Sequence, residues 1–179
     1  MVAAYHPAVV SKIVLVSSGP FEASYAARIR QTRLSRLDGE EKQAVERLEA
    51  KLRQPGPDMD QILLEYGKLM AKADSFDTVD SGDGVELRVD MEMHQSVWAE
   101  ASEWRASGAL LRLGEKIACP VVAMHGDYDP HPADGVKEPL SRVVRNFTFV
   151  ELRKCGHTPW KERFAEVDFY QVLIQELQD

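Results

Sequence analysis

The run Pro120-Val121-Val122-Ala123-Met124-His125-Gly126 constrains the fold more than any other part of the chain. It is apolar without alternation, bounded by proline and glycine, and short, which predicts a strand buried on both faces in a parallel sheet. Asp127 and Asp129 follow at once, so the strand carries a carboxylate to the edge of the sheet. Phe147 to Leu152 repeats the pattern and runs into Cys155-Gly156-His157. Adjacent strand ends therefore offer an acid and a histidine.

A third strand is expected at Lys12 to Ser17, where Ile13-Val14-Leu15-Val16 is again continuous and apolar. It follows a scrap of helix stopped by Pro7, and Ser17-Ser18-Gly19-Pro20 breaks it; both serines read as turn residues rather than nucleophiles. From residue 21 to 114 the chain is helical and charged. One helix carries Ala26, Ile29, Leu34 and Leu37 and breaks at Asp38-Gly39. The next, Glu40 to Arg53, has Ala44, Val45, Leu48 and Leu52 on one face. Pro55-Gly56-Pro57 ends it, and Asp58 is the expected N-cap of a helix with Ile62, Leu63, Tyr66, Leu69 and Met70 on one side. Residues 74–84 read as a polar loop, without the ligand spacing of a calcium-binding loop. Met91 to Ser107 is a further helix, whose Met91, Met93, Val97, Trp98 and Trp104 either pack or line an apolar pocket; His94 alone is no ligand site. A short helix near Val136 to Val144, with Pro139 in its first turn, precedes the strand Phe147 to Leu152. Phe164, Val167, Phe169, Tyr170, Leu173, Ile174 and Leu177 form the broad apolar face of a closing helix. The fold class is α/β, and right-handed crossovers make it a small parallel three-stranded sheet with flanking helices.

The formal charge of −7 and the scattered lysines and arginines exclude a basic stripe for nucleic acid. Cys119 and Cys155 fall in or beside buried strands and imply no disulfide framework. No run is long enough for a membrane span, so the expected compartment is the cytoplasm.

His125-Gly126-Asp127-Tyr128-Asp129 and Gly156-His157 resemble the acid and histidine motifs of the α/β-hydrolase family, whose triad runs serine, acid, histidine along the chain. Gly126 and Asp129 match its Gly-x-x-Asp turn, with Asp127 as the rival acid. Ala4-Tyr5-His6-Pro7 and the strand after it are similar to the stretch that follows the family's nucleophile helix. The resemblance implies the C-terminal half of that fold, with residues 1–20 and 115–179 as a partial core and 21–114 as an inserted helical lid. It implies Asp129 and His157 as catalytic acid and base, and no cofactor or metal.

The family's Gly-x-Ser-x-Gly elbow has no counterpart in the sequence. Cys155 is a conceivable substitute nucleophile, but a side chain two residues from His157 points elsewhere. The expectation is therefore an ester- or amide-hydrolysing serine hydrolase in a complete form, not competent as this chain alone. The alternative is a non-enzymatic homodimeric or partner-binding remnant of the fold. An open edge at Lys12 to Ser17 predicts a homodimer through that strand, or a separate chain supplying the missing half.

Overall fold

The computed structural model describes residues 1–54, 56–79 and 90–178. Pro55 and the stretch Ser81-Gly82-Asp83-Gly84 lie outside the described residues. Three strands, β1 (Ile13–Val16), β2 (Val121–Gly126) and β3 (Phe147–Leu152), form a parallel sheet in the order β1-β2-β3. Ile13 stands opposite Val121, and Val121 opposite Phe147. β2 is central and every residue in it is buried.

The helices are α1 (Val2–Tyr5), α2 (Ala23–Ser35), α3 (Gly39–Leu52), α4 (Met59–Asp74), α5 (Met91–Ala106), α6 (Ala109–Arg112), α7 (Asp134–Val143) and α8 (Glu166–Gln178). Helices α2 to α6 fall between β1 and β2, whereas α7 and α8 cover opposite faces of the sheet. With both faces covered, the two-residue period explains the unbroken apolar runs of β1 and of β2 up to Met124. Ile13, Leu15, Val121, Ala123, Phe147 and Phe149 pack with Val136 and Leu140 of α7. The intervening Val14, Val16, Met124, Val150 and Leu152 pack with Phe169 of α8 and with Cys155. A third cluster, Leu37, Val45, Met70 and Ala73, lies among α2, α3 and α4.

β1 is half-buried and pairs with β2 alone, so its outer edge is open as expected. Other local expectations need correction. Asp38 is not merely a break: its side chain accepts the Glu41 N–H at 2.9 Å and Glu41 reciprocates to the Asp38 N–H, a capping box that starts α3. Asp58 precedes α4 without a side-chain cap bond. Asp74 belongs to the last turn of α4 rather than to a loop, held there by Arg33. Pro139 lies inside α7, not in its first turn. The helix tolerates it because the Gly135 carbonyl, which loses its helical donor at Pro139, accepts the Phe21 N–H at 3.0 Å.

The apolar face of α8 is wider than what it covers. Phe169 is buried, but Val167, Ile174 and Leu177 are 66%, 54% and 71% exposed. Three strands about 4.8 Å apart present a face only about one helix wide, so one stripe of α8 is packed and its flank is left in solvent. No described helix is long and apolar enough to cross a membrane.

Candidate active site

The ends of β2 and β3 are zipped together by the backbone. The Asp127 N–H donates to the Leu152 carbonyl and the Tyr128 N–H to the Cys155 carbonyl, both at 2.9 Å. Gly126 allows this approach, since a Cβ there would fall 2.1 Å from the Cys155 oxygen and 2.5 Å from the Gly156 oxygen. Asp127 spends one carboxylate oxygen on the Cys155 N–H at 3.2 Å, which orients the loop. Asp129 turns back through a bond from its N–H to the Gly126 carbonyl. Of the two acids, only Asp129 reaches the histidine.

Asp129 Oδ2 lies 2.8 Å from His157 Nδ1. Its other oxygen, Oδ1, accepts the His131 N–H at 2.9 Å and lies 2.8 Å from His131 Nδ1. The two imidazoles are thus aimed at one carboxylate, their centroids 4.4 Å apart and their planes inclined by 31°. Below them His125 Nε2 lies 2.8 Å from the His131 carbonyl, which makes that nitrogen the N–H donor and fixes the turn carrying His131. His125 Nδ1 is buried without a partner.

Burial alone would raise the Asp129 carboxyl, but hydrogen bonds from His131 and His157 outweigh it and hold the group well below the usual carboxylate range. Burial likewise pulls His157 down, and the hydrogen bond and charge of Asp129 reverse this, so its imidazole is more basic than usual. His125 is shifted the other way, chiefly by desolvation. A buried anion that steadies a basic, half-open imidazole can hold a ring in one tautomer and stabilise its positive charge.

The loop bearing His157 is fixed from the segment between β1 and β2. The His157 N–H donates to the Asp74 carbonyl at 2.8 Å. The Asp74 carboxylate takes both Nε and Nη2 of Arg33 at 2.6 Å. Glu162, fully buried, accepts the N–H groups of Phe76, Asp77 and Gly156. Gly156 admits no side chain here, because a Cβ would meet the Asp74 oxygen at 2.2 Å. Neither Glu162 nor His131 stands out in the sequence. The one available signal for His131 is its position two residues after Asp129.

A cavity of about 890 Å³ opens beside the pair, lined by His131 and His157 and, among others, Ile29, Leu63, Met70 and Trp98. Of the candidate apolar residues on α5, Trp98 borders it while remaining 54% exposed, and Met93 and Val97 are exposed as well. Ser17 also borders the cavity. Its φ of 48° is left-handed, a conformation that costs a non-glycine residue about 1–2 kcal/mol, so the end of β1 turns more sharply than a simple serine turn. Its buried Oγ has no hydrogen-bond partner and therefore no bond to His157. Cys155 is fully buried and its thiol is pushed up to about 12, mainly by desolvation, so it does not ionise near neutrality.

The sequence matches no protein-family profile and no curated protein. Solved structures are similar in fold. VinJ shares 15% identity at a TM-score of 0.58, with 98% of this chain and 60% of that one covered. Proline iminopeptidase from Mycobacterium smegmatis shares 16% at a TM-score of 0.56, over 99% and 60%. Monoacylglycerol lipase from Paleococcus ferrophilus shares 15% at 0.51, over 97% and 60%. The fold is that of the α/β-hydrolases, and this chain contains a part of it. It spans about 60% of the length of those three proteins.

Proposed function

We propose that the chain carries the acid and base of a serine-type α/β-hydrolase acting on an ester or amide bond, with Asp129 as the acid and His157 as the base. The observation that carries this reading is the 2.8 Å contact between Asp129 and His157 Nδ1, made at the ends of adjacent parallel strands beside a largely apolar cavity. In this mechanism His157 Nε2 takes the proton of a serine hydroxyl as it attacks the substrate carbonyl. It then returns that proton to the leaving group, while Asp129 holds the ring and stabilises its charge. The apolar wall of the cavity suits a substrate with a hydrophobic acyl or alkyl portion.

The nucleophile belongs to a Gly-x-Ser-x-Gly turn, which these 179 residues do not contain. We therefore read the chain by itself as not catalytically competent, its pair working with a nucleophile from polypeptide outside it. A panel of p-nitrophenyl esters tests this on the chain, on His157→Ala, and on the chain extended by its own upstream in-frame coding sequence. The chain alone should hydrolyse no faster than His157→Ala. The extended protein, where it brings the serine turn, should exceed its own His157→Ala variant by about 10³-fold or more. His157-dependent turnover by the 179 residues alone would refute the incompetence, and an active extended protein indifferent to His157 would refute the base.

A further inference from the structure

We propose that Asp129, His131 and His157 form a binding site for a divalent transition-metal ion of the zinc class. A ligand atom from each residue lies within 4.8 Å of those of the other two. The donor set of two imidazoles and one carboxylate suits zinc, nickel, cobalt or iron better than magnesium or calcium, which favour oxygen.

Small turns of the side chains would convert this hydrogen-bonded cluster into a coordination set, because the two imidazole nitrogens already sit on the two oxygens of one carboxylate. Each Nδ1 lies 2.8 Å from a carboxylate oxygen of Asp129. With metal–ligand bonds of about 2.0–2.2 Å, two donors so separated subtend about 80–90° at the ion, the angle between neighbouring ligands of a five- or six-coordinate centre. The rings overlap, with centroids 4.4 Å apart and planes inclined by 31°, and both turn Nδ1 to the same carboxylate. For an ion to enter, each neutral ring gives up its Nδ1 proton and carries one on Nε2 instead. No net charge leaves the rings.

Access and support are also present. His131 and His157 both line the cavity, so an ion has a route in, and solvent could fill the remaining coordination positions. The His131 carbonyl is tied to His125 Nε2 and the His157 N–H to the Asp74 carbonyl, which fixes both ligands from behind. An occupied site engages the same atoms that hold His157 ready as a base. Metal binding and the acid–base work proposed above therefore exclude one another; this consequence rests on that reading, whereas binding itself does not.

Calorimetric titration of Zn²⁺ into the full chain, with Co²⁺ as a spectroscopic probe, tests the site without any turnover. One ion per chain and a visible Co²⁺ absorption band are expected. His131→Gln can still bond Asp129 but lacks the imidazole. In it, affinity should fall at least about tenfold and the band should disappear, with thermal melting used to check folding. Should that variant fail to fold, the ring resonances of the native chain decide: Zn²⁺ should shift those of His131 and His157 and leave those of His6 and His94 in place. Absence of stoichiometric binding, binding unchanged in folded His131→Gln, or shifts confined to other histidines would overturn the proposal. None of these measurements uses ester hydrolysis as its readout, so the two readings fail separately.

Discussion

Asp129 is the point on which the site converges, and the signs of the pKa shifts around it set how the protein responds to pH. Its carboxyl is depressed by the two histidines, so its contribution to stability is present above about pH 3.9 and is lost only in strong acid, as pH falls through its lower folded value. His157 is raised. Its contribution is complete below about pH 6.5 and is lost as pH rises through the folded value. His125 is lowered by burial, so it favours the folded state above about pH 6.5 and opposes it in acid. Between neutrality and mild acid His125 and His157 therefore act in opposite senses. Asp129 and His157 were legible in the sequence because a strand-ending glycine and a fixed offset mark each of them. His131 was not, because its ring stacking on His157 depends on the path of the Asp129-Pro130-His131-Pro132 turn, which no spacing encodes. Ser17 reads as an ordinary turn serine, and its left-handed backbone is visible only in three dimensions.

Among the elements, the strands were the most legible: an unbroken apolar run has one interpretation when helices flank both faces of the sheet. The end of α4 and the segment after it were harder, because the acids that hold them look like surface residues. Glu162 is the clearest case. It joins residues 76–77, which follow α4, to Gly156 beside His157, and the Val79 N–H reaches the Lys161 carbonyl at 2.8 Å along the same seam. Removing this carboxylate strands three backbone donors, two of them in the segment between β1 and β2. We expect Glu162→Ala to destabilise the chain by about 3 kcal/mol or more and Glu162→Gln by about 1–2 kcal/mol, read from urea unfolding. A Glu162→Ala midpoint equal to the native one would show that water replaces the carboxylate without loss. The wide apolar pattern of α8 misled in the other direction, since hydrophobicity alone does not reveal how narrow a surface a helix lies on.

For the molecule as a whole, the uncovered features of the described residues include the outer edge of β1, which pairs only with β2, and the apolar flank of α8 bearing Val167, Ile174 and Leu177. Lys12 at the start of β1 bonds the Glu176 carbonyl and carboxylate near the end of α8, bringing these two features side by side. We propose that a second copy of the chain covers them, as an open strand edge invites. Light scattering should give twice the mass of 20.1 kDa at micromolar concentration; a monomer would remove the proposal. The grouping of helices α2 to α6 as an inserted lid is likewise a proposal, supported by their position between β1 and β2 and by the cavity they help to line. The proposed acid–base work nevertheless depends on one contact, and the most direct test of it is the ring titration of His157 by NMR in the native chain and in Asp129→Asn. The native imidazole should titrate above its ordinary value of about 6.5 and fall to that value or below once the charge is removed and burial alone remains. A His157 that titrates at the same pH in both proteins would contradict an acid–base pair at this site.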